Sequence, residues 1–334
     1  MMTREELRRK IRSGQRKSAA KQRKKRFIIW MLIGALLTAA AFAVFLAREK
    51  GLIALPWDGP APQMIAPEAP ADGVRAVISV IDVGQGSAML IQSGSEAMLV
   101  DGGGREYSSK TVAYLKAQGV TRLKYLVATH YDADHLYGAI GALEAVGAET
   151  VLVPDYEEET YVYQSFRQHL ENRAPAVLHP SPGDAFDLGY CRFTVLAPCG
   201  SGYEAENDYS IALRLTDGVH SLLVTGDAEA ASEAEMVLNS KGDRRLASDV
   251  YVVGHHGSAS SSGAAFLAAV KPSFAVISCG AGNDYGHPKA AVMNRLRLTG
   301  CGIYRTDKQG DIVFRFTDNG ILFDQEPTND YTPG

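Results

Sequence analysis

From Val74 onward the chain alternates short apolar runs with glycine-rich or polar clusters. Residues 75–82 (RAVISVID) and 88–92 (AMLIQ) flank Gly84-Gln85-Gly86-Ser87, which predicts a β-hairpin. Further strands are predicted over 96–100, 123–129, 149–154, 192–197, 211–215, 221–225, 250–253, 274–278, 302–304 and 311–316. Helical segments are predicted over 109–118, 139–146, 157–174, 230–239, 264–270 and 289–298. Strands in runs with helices between them predict an α/β fold of two mixed sheets covered by helices, a four-layer αββα sandwich. Periodicity alone also permits a three-layer α/β domain.

The N-terminal part is of another kind. Phe27 to Ala47 is 21 residues without a charge. As a helix it would span about 31 Å, close to the hydrocarbon core of a bilayer. A cleaved signal peptide is the competing reading, but its apolar region usually runs to about 7–15 residues. Residues 1–26 hold twelve Lys/Arg and two acids, a charge of +10. The whole chain carries −4, so the remainder carries −14. Positive-inside bias then places residues 1–26 in the cytoplasm and everything after Ala47 outside, on a single-pass anchor in the cell membrane. Residues 48–73, rich in Pro, Ala and Gly, read as a linker. Residues 74–326 read as the catalytic domain and 327–334 as a flexible tail. Cys191, Cys199, Cys279 and Cys301 allow three complete disulfide pairings, or serve as small buried apolar groups.

Chemistry concentrates after predicted strands. His130-Tyr131-Asp132-Ala133-Asp134-His135 places four metal-capable side chains within six residues. Imidazoles and carboxylates at this density suit a divalent metal. A polar helix cap is the plain alternative. Asp227 follows SLLVTG, and His255-His256 follow DVYVVG, so each stands at a strand end. His287 lies in Tyr285-Gly286-His287-Pro288. Asp134, His135, Asp227 and one of His255/His256, with His256 favoured, are expected to build one metal site. His130 and Asp132, sharing Asp227, are expected to build a second, richer in oxygen.

These motifs together resemble the metallo-β-lactamase-fold hydrolases, and more closely the extracytoplasmic hydrolase-like domain of ComEC-type competence DNA-uptake proteins. The carrying residues are Ile81 to Gly86, Val100 to Gly103, Thr129 to His135, Asn207 to Ser210, Thr225 to Asp227, Gly254 to Ser258, Tyr285 to Pro288 and Tyr304 to Asp307. They span roughly residues 74–317. The resemblance implies the αββα fold with metal at the sandwich edge. Three departures stand out. Asp132 replaces a histidine of the wider pattern. Ser87 replaces an acid. Neither His169 nor His179 has the context of the expected third-motif histidine, and Asn207-Asp208 stands in roughly that place.

The expectation is a membrane-anchored, extracytoplasmic hydrolase with one or two divalent ions, Zn²⁺ or Mn²⁺, acting through a metal-activated hydroxide on a phosphodiester such as DNA. Asp134, His255 and His287 are the candidate catalytic residues. Asn207, Ser258 and Lys289 are the candidate substrate contacts. The −14 outer charge opposes nonspecific DNA binding, although Lys289, Arg295, Arg305 and Lys308 could form a local basic patch. A cell-envelope phosphodiester or other ester is a second enzymatic reading. A non-catalytic surface module with a degraded metal site is the third.

Overall fold

Strand alternation sends one set of apolar side chains between two sheets and the other set outward, beneath helices. The structure, a computed structural model, describes residues 73–240 and 246–334. The expected basic segment, anchor helix 27–47 and all but the last residue of the linker lie outside the described residues. Among the described residues no helix is long and apolar enough to cross a membrane.

Strands β1 (Val74–Val80), β2 (Met89–Ser93), β3 (Glu96–Val100), β4 (Leu123–Val127), β5 (Ala148–Leu152) and β6 (Ala176–Leu178) build most of one sheet. Strands β7 (Ala185–Leu188), β8 (Cys191–Ala197), β9 (Ala212–Thr216), β10 (Ser221–Val224), β11 (Val250–Val252), β12 (Phe274–Ile277) and β13 (Gly302–Arg305) build the other. The chain then returns to the first through β14 (Ile312–Thr317) and β15 (Gly320–Phe323). Strand orders are β15-β14-β1-β2-β3-β4-β5-β6 and β13-β12-β11-β10-β9-β8-β7. Ile78, Met89, Val100, Val127, Phe193, Leu213, Val224, Phe314 and Phe316 fill the space between the sheets. Helices α1 (Ser108–Ala117), α2 (Ala133–Ala145) and α3 (Tyr161–Arg173) cover the first sheet through Leu115, Leu136, Leu143 and Phe166. Helices α4 (Ala230–Asn239), α5 (Ala264–Val270) and α6 (Ala290–Thr299) cover the second through Met236, Phe266, Val292 and Leu296. This is the expected αββα sandwich.

The differences have physical causes. Helix α2 begins at Ala133, not near residue 139, because the polar cluster itself forms its first turn. Strands β6 and β7 escaped the pattern because most of their residues are exposed or half-buried, and β15 because it is only four residues long and half-buried. Residues 327–334, read as a flexible tail, have partners along β13. Ile303 N–H donates to Asn329 Oδ1 (3.1 Å), and Arg305 Nη1 donates to the carbonyl of Asp330 (3.1 Å). Arg297 lies 4.7 Å from the Tyr331 ring, and Gly334 N–H reaches the Pro288 carbonyl at 3.0 Å. All four cysteines are free thiols. Burial pushes the thiols of Cys191 and Cys279 up to about 12, so they behave as small apolar groups.

Candidate metal centre

Parallel pairing decides where the chemistry collects. Strands β3, β4 and β5 run parallel, as do β10, β11 and β12, so the loops after β4, β10, β11 and β12 leave their sheets at carboxyl ends. In parallel α/β sheets this edge is where ligands bind. Residues 130–135, 225–227, 254–257 and 278–287 occupy those loops.

The first turn of α2 is seated by direct backbone contact. A Cβ on Gly102 would stand 2.0 Å from the amide of Ala139, and one on Gly138 would stand 1.7 Å from the carbonyl of Gly102. Only glycine permits that approach. Gly102 N–H then donates to the His135 carbonyl (2.8 Å), which brings Asp101 against His135. Asp132 occupies the N-cap position of α2, yet its side chain makes no capping bond. Its Oδ2 stands 3.7 Å from His130 Nε2 instead. That geometry disfavours the helix-cap alternative.

The imidazoles share one arrangement. Each has Nδ1 beside an acceptor and Nε2 toward Asp227. His135 Nδ1 meets Asp101 Oδ2 at 2.8 Å, and its Nε2 is 3.3 Å from Asp227 Oδ1. His256 Nδ1 meets the Ser278 carbonyl at 3.0 Å, and its Nε2 is 3.5 Å from Asp227 Oδ2 and 3.4 Å from Asp134 Oδ2. His130 Nδ1 meets Thr129 Oγ1 at 3.0 Å, and its Nε2 is 3.9 Å from Asp227 Oδ2. His255 Nδ1 lies 3.3 Å from Glu229 Oε1, and its Nε2 is 3.6 Å from Asp227 Oδ2.

A divalent ion fits this donor set. His130 Nε2 is buried without a hydrogen-bond partner. The Nε2 atoms of His135 and His256 face each other at 3.2 Å. His130, His135 and Asp227 form one group with ligand atoms within 4.8 Å, and Asp134, His135 and His256 form another. Mixed imidazole and carboxylate donors suit Zn²⁺ or the harder Mn²⁺.

Burial opposes every charge here, and opposite charges overcome it. For Asp227, burial is outweighed by His256, His135 and His130, which hold its carboxyl well below the ordinary range. For His135, burial is outweighed by Asp227 and Asp101, which hold the imidazole well above its usual value. His256, buried beside Asp227 and Asp134, is pushed up to about 10. Protons thus balance the carboxylates, and a cation held here would take their place. His287 goes the other way. Burial first, then His256, His255 and Lys289, push it down to about 4.

The remaining candidates lie around this centre. The ring of His287 is 5.8 Å from His255 and stacks on Tyr285 at 5.6 Å, and its buried Nδ1 has no partner. Asn207 Nδ2 donates to Glu229 Oε1 (3.3 Å). Ser258 Oγ bonds Ser260 Oγ (2.9 Å), and Lys289 Nζ donates to the Tyr285 carbonyl. Three histidines between 135 and 227 are engaged elsewhere: His169 with the Ser165 carbonyl, His179 with the Pro154 carbonyl, His220 with Asp217. Two of the four residues that could form a basic patch are paired with acids. Arg305 is fully buried and paired with Asp307 at 2.8 Å, and Lys308 faces Asp330 at 3.9 Å. A cavity of about 440 Å³ lined by Asp82, Gln85, Arg105 and Asn283 holds none of the centre's imidazoles.

Sequence reasoning missed two carboxylates. Asp101 is fully buried and also accepts from the amide and hydroxyl of Thr129 (2.9 Å each). Its signal was a strand-end acid before three glycines. Glu229 had no local signal, because its role depends on the loop carrying His255.

The sequence pattern of the metallo-beta-lactamase superfamily matches residues 81–281. The chain belongs to that superfamily. It is 33% identical over 318 residues to Competence protein ComA of Neisseria gonorrhoeae, covering 89% of this chain and 42% of that protein. It is 29% identical over 271 residues to ComE operon protein 3 of Bacillus subtilis (strain 168), covering 76% of this chain and 34% of that protein. The chain therefore spans less than half the length of these relatives. Among solved structures, the metallo-beta-lactamase fold protein YhfI from Bacillus subtilis superposes with a TM-score of 0.50 at 15% identity, over 72% of this chain and 100% of that one. CmlA, a diiron beta-hydroxylase from Streptomyces venezuelae, gives 0.51 at 13% identity, over 73% and 54%. At such identities the two structures show the fold of the superfamily alone.

Proposed function

We propose that this metallo-β-lactamase superfamily member is a metal-dependent phosphodiesterase of the competence type, with nucleic acid as the leading substrate class. One observation carries the reading: the Nε2 atoms of His130, His135, His255 and His256 converge on Asp227 at one sheet edge, with Asp132 beside His130 and Asp134 beside His256. The relatives named as competence proteins support the nucleic-acid substrate. A divalent ion bound there supplies Lewis-acid polarisation of the scissile group and activation of water.

The chain's own residues do the rest. Asp101 and the Ser278 carbonyl fix the direction of two Nε2 atoms, which pre-orients the donors. Asp134, with its side chain 35% exposed, forms the open side from which water and substrate enter. His287 stands at the rim with a neutral ring, so its N–H is placed to donate to the leaving oxygen. Residues 27–47 are proposed to anchor the chain with its N-terminus cytoplasmic and residues 74–326 outside.

The −14 charge outside the basic segment favours a second reading, a smaller envelope phosphodiester in place of a polyanion. The test is the full chain loaded with Mn²⁺, Zn²⁺ or Mg²⁺, assayed on single- and double-stranded DNA beside bis(p-nitrophenyl) phosphate. DNA cleavage that disappears in Asp227→Asn is expected. Cleavage of the small ester alone would favour the envelope substrate. A loaded protein inert toward all three would refute the phosphodiesterase.

A further inference from the structure

An ion held by His130 would lack an obvious last ligand, because no histidine between 135 and 227 reaches the centre. His255 answers that gap. Its Nε2 is 3.6 Å from Asp227 Oδ2, the same oxygen that stands 3.9 Å from His130 Nε2. His130 Nε2 is in turn 3.7 Å from Asp132 Oδ2. Two donors on one tetrahedral ion at bond lengths of about 2.0–2.1 Å lie roughly 3.3–3.4 Å apart. Each of these separations is a few tenths of an ångström longer, and His255 and Asp132 stand outside the two compact donor groups, so an ion would have to draw them inward.

The backbone separates the two adjacent histidines. His255 (φ 51) and His256 (φ 54) both adopt left-handed conformations. Such conformations are uncommon for non-glycine residues and cost on the order of 1–3 kcal/mol each. They turn the rings nearly perpendicular, at 80° with centroids 6.2 Å apart. His256 thereby joins Asp134 and His135, while His255 stands between Asp227 Oδ2 on its Nε2 side and Glu229 Oε1 on its Nδ1 side. A solvent-facing histidine would need neither this strain nor a carboxylate behind it. Glu229 Oε1 stands 3.3 Å from His255 Nδ1, as Asp101 stands behind His135, and it also accepts from Asn207 Nδ2 and Ser260 Oγ.

We infer that His255 is a metal ligand, not a proton donor: with His130, Asp132 and Asp227 it closes a second ion site, and Glu229 fixes its tautomer. Asn207, which donates to Glu229 Oε1, then supports that carboxylate. This inference rests on the metal-dependent reading above.

The test reads metal directly. The full chain is titrated with Mn²⁺ while free ion is followed by its electron paramagnetic resonance signal. Wild type is expected to take up two ions, with a spin-coupled pair signal. His255→Asn, which tolerates a left-handed backbone, is expected to take up one and lose the coupled signal. His255→Asp, which restores an oxygen ligand on the same backbone, is expected to recover the second ion. Glu229→Gln is expected to weaken that ion about 10–100-fold. Two ions of unchanged affinity in His255→Asn, or a single ion in wild type, would overturn the inference and leave the hydrolase reading intact. No uptake by wild type would remove both.

Discussion

Asp101→Asn is the sharpest probe of the centre, because it changes almost no volume and touches no ion. Asp101 is fully buried, and its two oxygens serve Thr129 N–H, Thr129 Oγ1 and His135 Nδ1 at 2.8–3.1 Å. Its φ of 56 is one that asparagine accepts readily, so backbone strain is not introduced. An amide has one oxygen where the carboxylate has two. One of the facing donors is therefore left without an acceptor, at a cost of about 1–3 kcal/mol. His135 also loses the anion that orients its Nε2 toward Asp227, and such losses lower metal affinity by about 10–100-fold, or about 1.4–2.7 kcal/mol. Competition against a chelating dye would measure the affinity, and urea unfolding with and without metal would measure stability. Asp101→Asn should lose on both, and the affinity loss should persist in protein that is fully folded at the assay temperature. Wild-type affinity in that variant would refute the claim that Asp101 orients His135.

Other consequences follow from named contacts. Glu233 of α4 accepts from the amides of Ser262 and Gly263, yet burial outweighs those bonds and pushes its carboxyl up to about 7 from 4.5. Between those values the folded state holds a proton the unfolded state releases, so stability falls as pH rises from 4.5 to 7, by about 3 kcal/mol at 1.36 kcal/mol per unit. Denaturation midpoints of wild type should show that decline more steeply than Glu233→Gln, and identical pH profiles would dismiss it. His287→Ala should keep its metal and slow turnover of a nucleotide ester by about 10²–10⁴-fold, with a much smaller effect on a nitrophenyl ester. Equal losses on both esters would remove His287 from leaving-group chemistry. A cysteine placed in the 51–73 segment should react with a membrane-impermeant thiol reagent in intact cells, and labelling only after lysis would reverse the proposed topology.

The sequence made most of the sandwich legible where strands bury one or both faces. The runs 96–100, 123–129, 221–225 and 274–278 became β3, β4, β10 and β12, with end shifts of at most two residues. It was blind where a strand is exposed, as in β6, and where a polar motif opens a helix, as at Ala133. Composition made residues 327–334 look free, because polar and small residues bonding through their backbone leave no apolar trace. Arg305 looked like surface charge, because nothing local reveals Asp307 and the terminal segment closing over it.

The chemistry divides the same way. The chain alone determined the candidate ligand types, since His130 to His135, Asp227 and the His255-His256 pair stand at strand ends and strand ends are written in the local pattern. Only the tertiary structure decided how those ligands are shared. The first sheet delivers Asp101 behind His135, the second delivers Glu229 behind His255, and the left-handed turn at residues 255–256 sets neighbouring rings nearly perpendicular while both Nε2 atoms approach Asp227 Oδ2. Coordination depends on tenths of an ångström between groups as far apart in sequence as Asp134 and His256. Local pattern fixes which face a side chain takes, but only the packing of the two sheets fixes such distances.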